Sequence, residues 1–198
     1  MVNCAGCEAL TCYKGEDCVF GHDFKAYDNS TRKEYDKADN KKKLEVSTRI
    51  EGEHYMEWTR IEEIIGFAKQ MGYKQIGIAN CAGLTNEAKQ LKEILDQKFN
   101  VHAVCCKFSG IDKKDFSLTQ ISEDRYEAIC SSIGQALVLN DLKTELNIIV
   151  GLCVGHDILF TKYSEAPVTT FVVKDRVTGH NPVVTLYSNY YLKKFLGR

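Results

Sequence analysis

Cysteine sets this sequence apart, with nine in 198 residues. A thiolate is both a nucleophile and a soft metal ligand, so cysteine spacing is the first place to look for chemistry. Four lie at the start, Cys4, Cys7, Cys12 and Cys18, spaced C-x2-C-x4-C-x5-C with Gly6, Gly15 and Gly21 among them and few large aliphatic residues. A segment so poor in apolar packing needs a staple, and a bound metal supplies folding energy directly. Four thiolates suit a tetrahedral zinc or a four-iron cluster equally well. The spacing matches neither the usual ferredoxin run nor a paired C-x2-C zinc ribbon, and iron–sulfur is preferred over zinc by a narrow margin. His22 is a substitute for one thiol, against the plainer reading as a solvated loop histidine.

The other five cysteines include four that follow apolar runs. Ile148-Ile149-Val150 leads through Gly151 to Cys153, Ile76-Gly77-Ile78-Ala79 leads to Cys81, and Val101-His102-Ala103-Val104 leads to Cys105 and Cys106. Short β-branched runs bounded by glycine read as strands buried on both faces. In open α/β sheets, ligands sit beyond the carboxyl ends of such strands. Cys105 and Cys106 cannot both point the same way while a strand persists through them. Cys106 is the better ligand candidate and Cys105 the expected core residue. Cys130 stands where a helix is expected to begin, a place that favours a thiolate. Cys81, Cys106, Cys130 and Cys153 therefore form a second candidate ligand set, with His156 and His180 as alternative nitrogen ligands. Lys174 and Arg176 follow the last expected strand and, with His180, are candidate contacts for an anionic ligand; a surface salt bridge is the duller explanation. Inert burial competes for any isolated cysteine, because a free thiol behaves as a small hydrophobe. A different chemistry makes Cys153 a nucleophile with His156 as its base.

These residues need elements to position them. From Tyr27 to His54 the chain is highly charged, with the run Lys41-Lys42-Lys43, and fits an exposed helix or helical hairpin. Ile61, Ile64, Ile65, Ala68 and Met71 recur at helical spacing from about Tyr55, and Gly72 is placed to end that helix. Strands are expected at 75–80, 100–105, 147–152 and 168–173. Helices are expected from Thr85, from just after Cys130 with Ser131 or Ser132 as N-cap, and from Gly155 to Tyr163. Asn181 and Pro182 read as the cap and first turn of a last helix. Alternating strands and helices imply right-handed crossovers and a mostly parallel sheet. The expected fold is a three-layer α/β arrangement of a mostly parallel sheet with flanking helices, plus a small N-terminal cysteine-rich metal-binding segment. Its parts are a knuckle at 1–24, a helical segment at 25–72 and an α/β domain at 73–198, packed as one unit.

A net charge of −1 argues against a general nucleic-acid binder. No apolar run reaches bilayer length. The start, Met1-Val2-Asn3-Cys4, carries neither a basic stretch nor an apolar signal segment, so a cytoplasmic protein with no membrane contact is expected. In a reducing compartment clustered thiols are metal ligands or redox groups rather than structural disulfides. No P-loop, G-x-G-x-x-G, H-E-x-x-H or G-x-S-x-G is present, so ATP hydrolysis, nicotinamide binding and serine hydrolysis lose support.

The blocks CAGCEALTC, WTRIEEIIGFAKQMGY, IGIANCAGL, VCCK, IGQALVLN, TELNIIVGLCVGHDILFTKYSEAPVT and VVKDRVTGHNPV resemble a family of cysteine-rich prokaryotic proteins of unknown function predicted to bind metal. The resemblance implies an α/β fold and ligands at Cys4, Cys7, Cys12, Cys106, Cys130 and Cys153; it names no reaction. The leading expectation is a metal-binding protein, iron–sulfur or zinc, with a redox or metal-handling role and a redox partner protein. Two alternatives stand beside it: a thiol enzyme using Cys153 or Cys106 with a structural zinc, and a zinc-stabilised interaction module.

Overall fold

The computed structural model describes residues 1–197. Its contacts divide the chain into two units, Met1–Tyr55 and Met56–Arg198.

The first unit opens with three single turns of 3-10 helix, Cys4–Gly6, Thr11–Lys14 and Phe24–Tyr27. No residue before Val46 is buried, as the scarcity of aliphatic side chains dictates. A helical hairpin follows, α1 (Asp28–Tyr35) and α2 (Ala38–His54), with Val46 and Ile50 as its buried residues. The hairpin expected over 27–54 is present, and Lys43 of its lysine run is paired with Asp39 one turn away.

The second unit begins with α3 (Arg60–Met71), which starts later than its periodicity alone suggests. The reason is a capping box. Thr59 Oγ1 accepts from the Glu62 amide, and the Glu62 carboxylate accepts from the Thr59 amide at 2.7 Å. Gly72 ends the helix in the left-handed region at φ 84°. Trp58 is a packing residue: a Cβ on Gly66 would lie 2.4 Å from its ring.

Then come β1 (Gln75–Asn80), α4 (Thr85–Leu95), β2 (Asn100–Cys105), α5 (Ser132–Asp141), β3 (Leu146–Val150), α6 (His156–Tyr163) and β4 (Val168–Val172). The sheet order is β2-β1-β3-β4 and every pairing is parallel, with Ile78 opposite both Ala103 and Ile148. One face carries Ile76, Ile78, Leu146, Ile148 and Val150 against Ile64 and Ala68 of α3 and Ala88, Leu91 and Leu95 of α4. The other carries Ala79, Val104 and Ile149 against Ala136 and Leu139 of α5 and Phe160 of α6. The fold is thus three-layered α/β, with helices covering both faces as an all-parallel sheet requires.

β3 stops at Val150, earlier than expected, because Gly151 turns into the left-handed region at φ 73°. Only glycine suits that place: a Cβ would lie 1.9 Å from Leu84 Cδ1. The tail also differs from its expectation. Asn181 and Pro182 form a turn ahead of α7 (Val184–Tyr187), and α8 (Asn189–Leu196) follows. The polar stretch after β2 is tied down by a bridge between Asp112 and Ala128, which returns the chain to the sheet just before Cys130.

Candidate functional site

Strand order 2-1-3-4 puts the topological switch between β1 and β3, where the two crossovers leave in opposite directions and open a crevice at the carboxyl edge. Cys81 and Cys106 each stand one residue past a strand at this edge. The Cys81 amide donates to the Val150 carbonyl at 3.0 Å and the Cys106 amide to the Asn80 carbonyl at 2.8 Å. Cys130 arrives from the other side, just before α5, where the Ser131 amide donates to the Cys106 carbonyl at 2.8 Å. These three backbone bonds fix three cysteines from three separate parts of the chain.

Electrostatically Cys106 stands between the other two, as the largest influence on both Cys81 and Cys130. The Ala82 amide donates to Cys106 Sγ at 3.3 Å. Cys106 is 2 % exposed and its thiol is pushed strongly up, by Cys130 first, then by Cys81 and by burial. Cys81 is drawn down to about 5, chiefly by the Cys106 S–H and against its own burial, with the Gly83 amide and the Lys174 ammonium assisting. Cys130 is likewise drawn down to about 5, by Cys106 first, with Lys107 and His156 assisting against burial. The proton is thus favoured on Cys106 over its two neighbours.

Cys153 has a different partner. Arg176 Nη2 donates to its sulfur at 3.0 Å, and that bond holds the guanidinium charged. At longer range Arg176 also feels the Cys81 and Cys130 sulfurs. Lys174 reaches Cys81 across Gly83, whose missing Cβ would lie 3.3 Å from Lys174 Nζ. Lys107 is anchored on the Ala128 carbonyl and faces Cys130.

Several residues stand elsewhere than their spacing suggested. Cys105 is half-exposed and outside both cores; the strand's alternation turns it away from Cys106, which takes the core position instead. The His156 ring acts on Cys130, and it is Arg176 that bonds the Cys153 sulfur. Burial and a raised affinity for its proton make Cys106 a poor free nucleophile. His180 closes its own loop, its Nδ1 accepting from the Asp175 amide at 3.1 Å. Among the described residues neither Lys174 nor Arg176 is ion-paired to a carboxylate: Asp175 accepts instead from the Val177 and Thr178 amides.

At the N-terminus Cys4 and Cys12 are exposed, while Cys7 and Cys18 are half-buried. Cys12, Cys18 and His22 line a hollow of about 590 Å³ together with Asp17, Asp23 and Lys25. Among the described residues no three His, Cys, Asp or Glu side chains are grouped to hold a metal ion as they stand.

Two supporting residues escaped the sequence reading. Gln135 is fully buried, and its side-chain amide donates to the carbonyls of Val104 (2.6 Å) and Asn80 (3.2 Å), holding together the strand ends that carry Cys106 and Cys81. A lone amide on the same helical face as Ala136 and Leu139 was its visible signal. Lys107 had only its place next to Cys106.

Fold and site together define a three-layer α/β protein with a thiol-lined, cation-bordered carboxyl edge. Residues 20–171 match the family described as "protein of unknown function (DUF1847)", and the chain belongs to it. It is also 53% identical over 195 residues to an uncharacterized protein of Methanocaldococcus jannaschii, covering 98% of each chain. No solved structure matches it significantly. The family match includes Cys81, Cys106, Cys130 and Cys153; the four N-terminal cysteines precede it.

Proposed function

We propose that the protein binds zinc or an iron–sulfur cluster through thiolates and serves in redox or metal handling, with a redox partner protein and a cytoplasmic setting. The observation that supports this is the delivery of Cys81, Cys106 and Cys130 to one carboxyl edge, where the Cys106 amide is bonded to the strand end before Cys81 and the Cys106 carbonyl to the residue after Cys130. Sulfurs bound tetrahedrally to one metal stand about 3.8 Å apart, given bonds of about 2.3 Å. Ligation requires the edge thiols to close to that separation. Soft sulfur donors select zinc and iron–sulfur over hard cations. Lys174, Lys107 and Arg176 offset the negative charge of such a centre, and an apolar floor of Ala79, Val104 and Leu152 lowers its dielectric. Cys81, Cys106 and Cys130 would hold the metal, with Cys153 beside them. Cys4, Cys7, Cys12 and Cys18 are a second candidate set, supported by the absence of any buried residue before Val46.

Anaerobic purification of the full chain, with zinc, iron and sulfide analysis, tests the reading. Metal is expected in the wild type, with one site's share lost in Cys106→Ser. A chain free of zinc, iron and sulfide, with every thiol titratable, refutes it.

One observation favours a second reading. The Arg176–Cys153 bond suits an activated thiol, and alkylation with mass mapping separates the two: a single hyper-reactive Cys153 in metal-replete protein supports a thiol enzyme.

A further inference from the structure

We propose that Cys81 and Cys106, register partners at the ends of β1 and β2, form a redox-active dithiol that closes to a disulfide by exchange with a low-molecular-weight disulfide. This goes beyond the metal reading, because the couple needs no metal.

The backbone supplies the spacing. The register of β1 and β2 runs through Ala79↔Val104 and Asn80↔Cys105, and the next step sets Cys81 opposite Cys106. The ladder persists that far. The Cys106 amide donates to the Asn80 carbonyl at 2.8 Å, as the Asn100 amide does to Lys74 where the strands begin, and Cys81 is still extended at φ −71° and ψ 142°. Register partners of a parallel pair project to one face, and Ala79, Val104, Cys81 and Cys106 share one apolar cluster. Neighbouring strands stand about 4.8 Å apart. That lies within the roughly 4.4 to 6.8 Å between Cα atoms that a disulfide spans. The Cys106 sulfur also points toward its partner: it lies 3.3 Å from the Ala82 nitrogen, the atom bonded to the Cys81 carbonyl carbon. Gln135 holds the two strand ends together through the carbonyls of Asn80 and Val104.

The two thiols differ in access, which assigns their roles. Cys106 is sealed, whereas Cys81 keeps 9 % of its surface in the crevice. Beside Cys81 stands Gly83, whose missing Cβ would lie 3.9 Å from the Cys81 sulfur and 3.3 Å from Lys174 Nζ. Glycine leaves that approach open, and an ammonium next to it favours the thiolate that attacks. The Cys81 thiolate displaces RS⁻ from a small disulfide RS–SR and becomes the mixed disulfide Cys81–S–S–R. The Cys106 thiol then attacks the Cys81 sulfur, and its proton leaves with the second RS group as RSH. Two cysteine thiols are oxidised to one disulfide, and the external disulfide is reduced to two thiols.

Full-length protein, treated with chelator and then with 2-hydroxyethyl disulfide, tests the couple by mass mapping of linked peptides. A Cys81–Cys106 link that dithiothreitol reverses is expected in the wild type. It should persist in Cys105→Ser, because Cys105 is one step off the register and on the other face. In Cys106→Ser the hydroxyethyl adduct should accumulate on Cys81, whereas Cys81→Ser should lose the link and leave Cys106 unmodified. The wild-type map decides by itself, so a variant that fails to fold does not obscure the result. A link from Cys81 to Cys105, a link from Cys106 to Cys130, or free thiols at both Cys81 and Cys106 after the exposed cysteines have reacted overturns the inference. Zinc and iron measured before chelation bear on the metal reading separately. A metal-free chain that forms the link leaves the dithiol standing without a metal, and a metal-loaded chain that never forms it after chelation does the reverse.

Discussion

Cys106 shows how much one side chain's direction decides. Its neighbour Cys105 has the same chemistry one residue earlier, and the pleat sends it to the opposite face, half-exposed and away from the other sulfurs. Pleat alternation made that division legible, but the expectation that Cys105 belongs to the core failed. β2 is an edge strand whose end is not covered on that face, and sequence alternation carries no information about what covers a face. Gln135 was missed for a related reason: its role lies in two carbonyls more than 30 positions away. At the same scale, Glu127 anchors the loop that delivers Cys130. Its carboxyl is held below the usual range by the Lys113 ammonium at 2.7 Å and then by the Ile121 amide. A depressed acid stabilises the folded state above its unfolded value of about 4.3, and that contribution is lost as pH falls through the lower folded value. An NMR titration should therefore find the Glu127 midpoint below that of an ordinary glutamate, returning toward it in Lys113→Ala. Identical midpoints in the two proteins would show that the pair does not hold the loop.

Among the elements, β1 and β3 meet so closely that a glycine is required between them. A Cβ on Gly77 would lie 2.0 Å from Asn147 Oδ1, in a buried network where Thr144 Oγ1 donates to that oxygen at 2.8 Å and Asn147 Nδ2 donates to Ser164 Oγ at 2.8 Å. Gly77→Ala is expected to destabilise by about 1–3 kcal/mol, read as a lower urea midpoint with unchanged slope, because the network cannot give way without stranding a buried polar group. An unchanged midpoint would mean that Asn147 has another place to go. The strands themselves were legible because β-branched runs ended in glycine or cysteine. Their order was not, since nothing local in Ile76–Ala79 states that it lies between β2 and β3. The site still followed from the sequence because any parallel order brings the carboxyl ends to one edge. The shared edge placed Cys81, Cys106 and Cys153; the bridge between Asp112 and Ala128, which no pattern announced, placed Cys130.

For the whole chain, the contrast is between a unit with two layered cores and a beginning with none. The second unit buries aliphatic side chains on both faces of its sheet, while nothing before Val46 is buried. Stability follows buried apolar area, so on the proposed reading residues 1–27 draw theirs from ligation. Chelation of the anaerobic protein should expose this segment to protease first, with cleavage confined to it while β1–β4 stay resistant. Equal protection with and without chelator would leave the N-terminal cysteines without a metal role. The central claim is that Cys81, Cys106 and Cys130 share a metal, and an anomalous-difference map from crystals of anaerobically purified protein tests it most directly. A zinc- or iron-edge peak with sulfurs of all three residues about 2.3 Å from metal is the predicted result. A map with no metal at this edge would contradict it.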